Sequence, residues 1–504
     1  MIRVDGVRLR CEDVVAVARD GAEASLSSAA RARVRRSRRD LVSLARGRGL
    51  AYGVKTGLGQ LEEVAIGEAD QRRLQLNLVR SHAVGVGPAM PAEWVRAAML
   101  ARANALAKGR SGVREGVVDL LLRMLDRGVH PIVPVQGSLG ASGDLAPLAH
   151  MGLVLVGEGR AEHAGRVADG AKALKDARLR PLRLEAKEGL ALVNGTSFMA
   201  GIGALLAVDA ARLVRDAQVA ASVSLEALRG SAKPFDPRLA ELKAHPGHAR
   251  VAANLRSLLR GSAILASHRG PHKVQDAYTL RCLPQVLGPV ADAVDRLSAC
   301  VEIELNSASD NPLIFPGESL SGGNFHGQAL AMELDHVALA LAVLAGFAER
   351  RIARLVDGRL SGLPPFLTES PGLNSGLMLA QYTAAALALE CRALANPASA
   401  DSLPTSANQE DWVSNGLVAA RKAHACLENA TGVVAIELLC AAQGLEFVPQ
   451  RPGRGPAAAV ARLRREVPRL GEDRVLSGDI EASRRLLVEG EILTAVEAAG
   501  ARLR

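Results

Sequence analysis

Apolar positions along the chain fall into two regimes. In the first 200 residues, short stretches of helical periodicity alternate with loops punctuated by Gly and Pro. Examples are YGVKTGLG at 52–59, VGVGPAMP at 84–91 and HPIVPVQGSLGASGD at 130–144. From about Met199 the periodicity lengthens and predicts helices over 199–229, 286–305, 327–357, 373–397 and 412–442, joined by loops such as SASDNPLIF and SLPTSANQED. Several are apolar round most of their circumference, which suits a central bundle within or between subunits. The longest apolar stretch, Val337 to Ala348, has 12 residues and charged flanks, so it reads as a buried helix rather than a bilayer crossing. From Pro449 the chain is polar and helical. The expectation is one mainly-α architecture: an N-terminal loop-and-helix region (1–198), a long helical bundle (199–448) and a C-terminal helical tail (449–504).

Composition narrows this picture. Of the 504 residues 48% are hydrophobic and 23% charged, which is globular, but only 2% are aromatic. The core must therefore be Ala, Leu and Val, all carried on good helix-forming sequence. Six scattered cysteines without a CxxC pair, and an N-terminus without an apolar signal core, point to a cytoplasmic protein with reduced thiols. The net charge of +9 is spread thinly; its densest run, Arg31 to Arg39, reads as a solvated helix face rather than a nucleic-acid surface. The pairs His245/His248 and His268/His272 lack acidic or thiolate partners nearby in sequence, so no metal site is expected.

The unusual segment is Gly137-Ser138-Leu139-Gly140-Ala141-Ser142-Gly143-Asp144. It fails as a phosphate cradle, because no Lys-Ser/Thr pair follows, and as a hydrolase elbow, because the final Gly of GxSxG is missing. Two readings stay open. One is a plain tight turn. The other is backbone cyclisation, in which the Gly143 nitrogen closes on the Ala141 carbonyl carbon and two waters are lost, one using the Ser142 hydroxyl. That product is a methylidene electrophile, and small residues with permissive dihedrals are what it requires.

The segment GSLGASGDLAPLAH (137–150) resembles the signature of the histidine and aromatic amino-acid ammonia-lyase family. YGVKTGLG, NLVRSHAVGVG, EGLALVNGT, QDAYTLRCLPQVLG, NSASDNPLIF, GGNFHG and SANQEDWVS follow the same family in order along nearly the whole chain. Two of only three tyrosines, Tyr52 and Tyr278, fall inside these motifs. The resemblance implies a 4-methylidene-imidazol-5-one formed from Ala141, Ser142 and Gly143, carried by the N-terminal region, with no external cofactor. It also implies a homotetramer acting on a small amino acid, with neither nucleic acid nor membrane as partner.

By the same resemblance Tyr52 is the base and Arg281 grips the substrate carboxylate. Asn194 and Tyr278 hydrogen-bond the ring and carboxylate, Gln275 joins that network, and Phe325 packs beside the ring. His82 and Glu410 match histidine-type members and would face an imidazole, implying elimination of ammonia from L-histidine to give urocanate. Ser197, Trp412, Lys55 and Leu58 depart from that pattern. A tyrosine or phenylalanine lyase, an aromatic 2,3-aminomutase, and a catalytically silent or basic binding protein are the rivals.

Overall fold

The computed structural model describes residues 1–46, 56, 63–64, 66–268 and 274–504. The chain is mainly α, and the long helices stand close to where periodicity puts them: Ser197–Ala227, Leu283–Leu305, Gln328–Val356, Met378–Leu394 and Gly416–Leu445. The largest difference is the start of Met378–Leu394, five residues later than the pattern suggests. Gly372 and Gly376 there take positive φ and hold the preceding residues in turns.

Two compact units divide the chain, each assembled from separate stretches. The first comprises Met1–Val208, Leu297–Asp335 and Pro397–Arg421, and the second Asp209–Arg296, His336–Asn396 and Lys422–Arg504.

In the first unit the helix Ala92–Ala107 is buried from Trp94 to Ala107 except at Arg96, as its Ala-rich sequence demands. The same unit carries short strands: Ile2–Val4 runs parallel to Ala24–Leu26, Val86–Ala89 pairs antiparallel with Pro134–Gln136, and Val129–Pro131, Arg160–His163 and Arg166–Asp169 form a three-stranded antiparallel sheet. The arginine-rich helix Ser28–Arg46 exposes Arg35, Arg36 and Arg39, as a solvated face would, and also makes contacts within the fold. Arg31 pairs with Asp119 and Glu115, Arg35 with Glu115, and Arg38 donates to the carbonyls of Gly112 and Ala186. Part of this charge is thus engaged within the fold, while Arg36 and Arg39 remain exposed.

The second unit is held by buried polar pairs within an Ala-Leu core. Arg351 and Glu437, both fully buried, form a two-pronged pair at 2.6 and 2.7 Å, and the Ser224 hydroxyl donates to the same carboxylate at 2.7 Å. Glu226, also fully buried, accepts from the Gly453 amide at 3.0 Å, fixing the entry to the helix Arg454–Arg464. Burial pushes its carboxyl up to about 7, against the pull of the Ser262 hydroxyl and that amide.

Three helices, Ser197–Ala227, Gln328–Val356 and Gly416–Leu445, have the length and mean hydropathy of a membrane span. The 12-residue apolar stretch lies within the second of these, which length and composition alone would let cross a bilayer, because a few polar residues are tolerated in a longer window. In these helices 78%, 61% and 83% of the relevant window is buried inside the protein.

Candidate active site

The strand Pro134–Gln136 delivers the chain into the glycine-rich loop, and Asp144 ends it at the N-terminus of the helix Leu145–Leu155. Within the loop the backbone folds back so that Gly140 and Ala141 lie opposite Gly143. Gly143 has φ +75°, and a Cβ there would sit 2.1 Å from the Gly195 carbonyl oxygen, so only hydrogen fits. Gly195, at φ +129°, is equally confined, 2.1 Å from the Ser309 oxygen. The two stretches are laced together: the Gly195 amide donates to the Ser142 carbonyl at 3.0 Å, and the Asp144 amide to the Gly195 carbonyl at 2.7 Å.

Asn194 ends the short helix Glu188–Val193, and its side chain meets the triad. The Ser142 hydroxyl donates to Asn194 Oδ1 at 2.7 Å. Asn194 Nδ2 donates to Asp310 Oδ1 at 3.1 Å and to the Asn311 carbonyl at 3.2 Å. Asp310 in turn receives Lys187 Nζ at 2.8 and 3.0 Å, with both side chains fully buried. Arg102, also fully buried, donates to the Asn194 carbonyl, while its Nε and other terminal nitrogen have no hydrogen-bond partner. Burial lowers the pKa of Lys187 and of Arg102, and Asp310 pulls each back up.

Asp144 accepts from the amides of Phe198 and Met199 at 2.8 and 3.0 Å, capping the helix Ser197–Ala227 from outside. Burial nonetheless pushes its carboxyl up to about 7. Lys187, Asp310, Arg102 and Asp144 were not among the residues singled out from sequence. Their signal was faint: Asp144 and Asp310 lie inside recognised motifs, and Lys187 stands one residue before EGLALVNGT.

The segment carrying Glu410 is anchored to the same loop. The Asn415 amide donates to the Leu139 carbonyl at 3.0 Å, and the Ser414 hydroxyl to the Gly140 carbonyl at 3.5 Å. Glu410 is half-buried, its backbone bridged to Thr405. His82 is close enough to feel its charge: burial lowers the His82 pKa, whereas the Leu78 backbone and Glu410 raise it. Ser81 Oγ lies 3.1 Å from His82 Nδ1. Phe325 is half-buried, and the ring of the adjacent His326 lies 3.3 Å from the Trp412 carbonyl. Trp412 itself donates to Gln328 at 3.3 Å.

Tyr278, Arg281 and Gln275 belong to the second unit. There the Arg281 guanidinium lies 4.8 Å from the Tyr278 ring centroid, and its Nε is buried without a partner. Tyr278 is 69% exposed and Gln275 is exposed. Tyr52, with Lys55 and Leu58, lies outside the described residues. Among the described residues no group of three or more His, Cys, Asp or Glu is arranged to hold a metal.

A mainly helical chain, with a glycine-locked Ala-Ser-Gly loop clasped by a buried polar chain, has clear relatives. The chain belongs to the aromatic amino acid lyase family, whose model matches residues 9–465. It is 52% identical to the histidine ammonia-lyase of Anaeromyxobacter dehalogenans over 501 residues, which covers 97% of this chain and 99% of that protein. Among solved structures it resembles histidine ammonia-lyase from Trypanosoma cruzi with a TM-score of 0.92 at 38% identity, covering 99% of this chain and 95% of that one. It resembles tyrosine aminomutase from Streptomyces globisporus with a TM-score of 0.95 at 39% identity, covering all of both chains. The molecule is an enzyme, a carbon–nitrogen lyase.

Proposed function

We propose that this enzyme eliminates ammonia from L-histidine to give urocanate, using a methylidene-imidazolone made from Ala141, Ser142 and Gly143. The observation that carries the prosthetic group is the fit of the loop. Gly143 leaves no room for a Cβ, the chain doubles back between residues 141 and 143, and the Ser142 hydroxyl is held by Asn194. Such a group supplies an electrophile that no unmodified side chain provides, and with it the α-amine becomes a better leaving group.

The remaining work falls to side chains. Arg281, whose Nε is unpartnered and whose guanidinium is stacked on Tyr278, binds the substrate carboxylate in two-pronged fashion. Gln275 and Tyr278 extend that polar grip. Glu410 accepts the imidazole N–H, with His82 on the other side of the ring and Phe325 packing beside it. Two polar groups so placed discriminate against a bare phenyl ring, which would leave them unpaired. Tyr52 takes the β-proton. A phenol has a pKa of about 10, so its site must favour the anion.

Exposed apolar residues in the second unit, Leu339 and Val343 on one helix and Leu379, Tyr382 and Leu389 on another, support a homotetramer. Free cysteines, and long apolar helices largely covered by protein, support a cytoplasmic location. The similarity to a tyrosine aminomutase keeps one second reading, in which the amine returns to the β-carbon.

An ultraviolet assay with L-histidine, L-tyrosine and L-phenylalanine, with products identified by mass and Ser142→Ala as control, separates these outcomes. Urocanate from histidine alone, lost in the variant, is expected. Coumarate, cinnamate or a β-amino acid would overturn the substrate or the reaction type.

A further inference from the structure

The orientation of the Asn194 side-chain amide is dictated from behind. Its Nδ2 faces two groups that only accept, the Asp310 carboxylate and the Asn311 carbonyl. Rotating the amide by half a turn would set its oxygen against both acceptors, one of them charged. The oxygen is therefore directed at Ser142, whose hydroxyl must donate and is left with free lone pairs. Asp310 is itself held in its buried position, because Lys187 contacts both of its oxygens and the Asn311 amide donates to it at 2.7 Å. The chain holds Lys187 there at some backbone expense, with φ +73°.

We propose that the buried Lys187–Asp310 ion pair is a positioning pair for prosthetic-group formation, locking Asn194 with its oxygen toward Ser142 while the triad cyclises. This rests on the reading that a ring forms there. Closure makes a bond between the Gly143 nitrogen and the Ala141 carbonyl carbon. The Ala141 oxygen leaves as water with the amide protons of Ser142 and Gly143. A second water takes the Ser142 hydroxyl and its Cα proton, leaving a Cα–Cβ double bond, so no oxidant is needed. For that second loss the hydroxyl must accept a proton, which a fixed donor bond to Asn194 leaves its lone pairs free to do.

The test follows the intact mass of freshly synthesised full-length chain over time, with circular dichroism as the measure of folding. Parent, Asp310→Asn, the neutral double variant Lys187→Gln/Asp310→Asn, and Glu437→Gln are compared. The last breaks a buried ion pair remote in sequence from the triad. Parent and Glu437→Gln are expected to become lighter by two waters. Asp310→Asn and the double variant are expected to fold but to lose the waters about tenfold more slowly or not at all, the effect of about 1.4 kcal/mol. Folded Asp310→Asn or double variant that loses two waters at the parent's rate would overturn the proposal. So would failure of both to fold while Glu437→Gln folds, because the pair would then be structural. A folded parent that never loses two waters would instead refute the prosthetic-group reading itself.

Discussion

Replacing Glu226 by Gln should make the protein more stable at neutral pH, although it removes a residue that makes good hydrogen bonds. The carboxyl is fully buried and sits at about 7 in the fold against an ordinary 4.5. Below pH 4.5 both folded and unfolded chains carry it protonated, and it imposes no cost. Between 4.5 and about 7 the unfolded chain releases its proton while the folded chain keeps it, so stability falls as pH rises. Above about 7 both forms are ionised and the loss is constant. Roughly 2.5 pH units at 1.36 kcal/mol each give about 3 kcal/mol as an upper figure. Glutamine keeps an acceptor for the Gly453 amide and has no proton to lose. Urea unfolding of parent and variant at several pH values from 4.5 to 8.5 reads the difference directly. The variant should gain on the parent by up to about 3 kcal/mol as pH rises to 7, then hold level. A difference independent of pH would refute the assignment of Glu226 as the titrating group.

Three further outcomes follow from the site. Gly143→Ala, which drives a Cβ into the Gly195 carbonyl, should prevent the loss of two waters and lower activity by roughly a thousandfold or more; intact mass and turnover measured together check it. Glu410→Gln should cut kcat/KM for histidine by about 10–100-fold while moving the histidine-to-phenylalanine ratio toward phenylalanine. Equal losses for both substrates would remove Glu410 from ring recognition. Arg281→Leu should raise KM for histidine by about 100-fold in saturation kinetics, the scale of lost charge-assisted hydrogen bonds, and an unchanged KM would rule out the carboxylate grip.

Much of this was legible from the letters because it is local. Helices such as Gln328–Val356 declare themselves by periodicity, and Gly143 by the small residues around it. What escaped is long-range. Lys187 and Asp310 are 123 positions apart, and Arg102 reaches a carbonyl 92 positions away, so no window along the chain contains either contact. A buried cation also looks like a surface cation in a sequence, since only the fold reveals that water is gone. The arginines of Ser28–Arg46 show the same limit: the run does not reveal that Arg31 pairs with Asp119 or Arg35 with Glu115, more than 70 positions away. The two compact units are equally invisible, because each is spliced from three separate stretches.

The hydrogen bonds from Asn415 to Leu139 and from Ser414 to Gly140 join residues more than 270 positions apart. They tie the segment that carries Glu410 to the loop that carries Ala141-Ser142-Gly143. If Glu410 reads the substrate ring and the triad cyclises as proposed, anyone redesigning this enzyme at Glu410 and Trp412 would be pulling on the loop in which the triad matures. On the proposed reading, specificity and maturation are therefore coupled traits. A library varied at 410–415 should be screened first for chains that have lost their two waters, and only then for the substrate they accept.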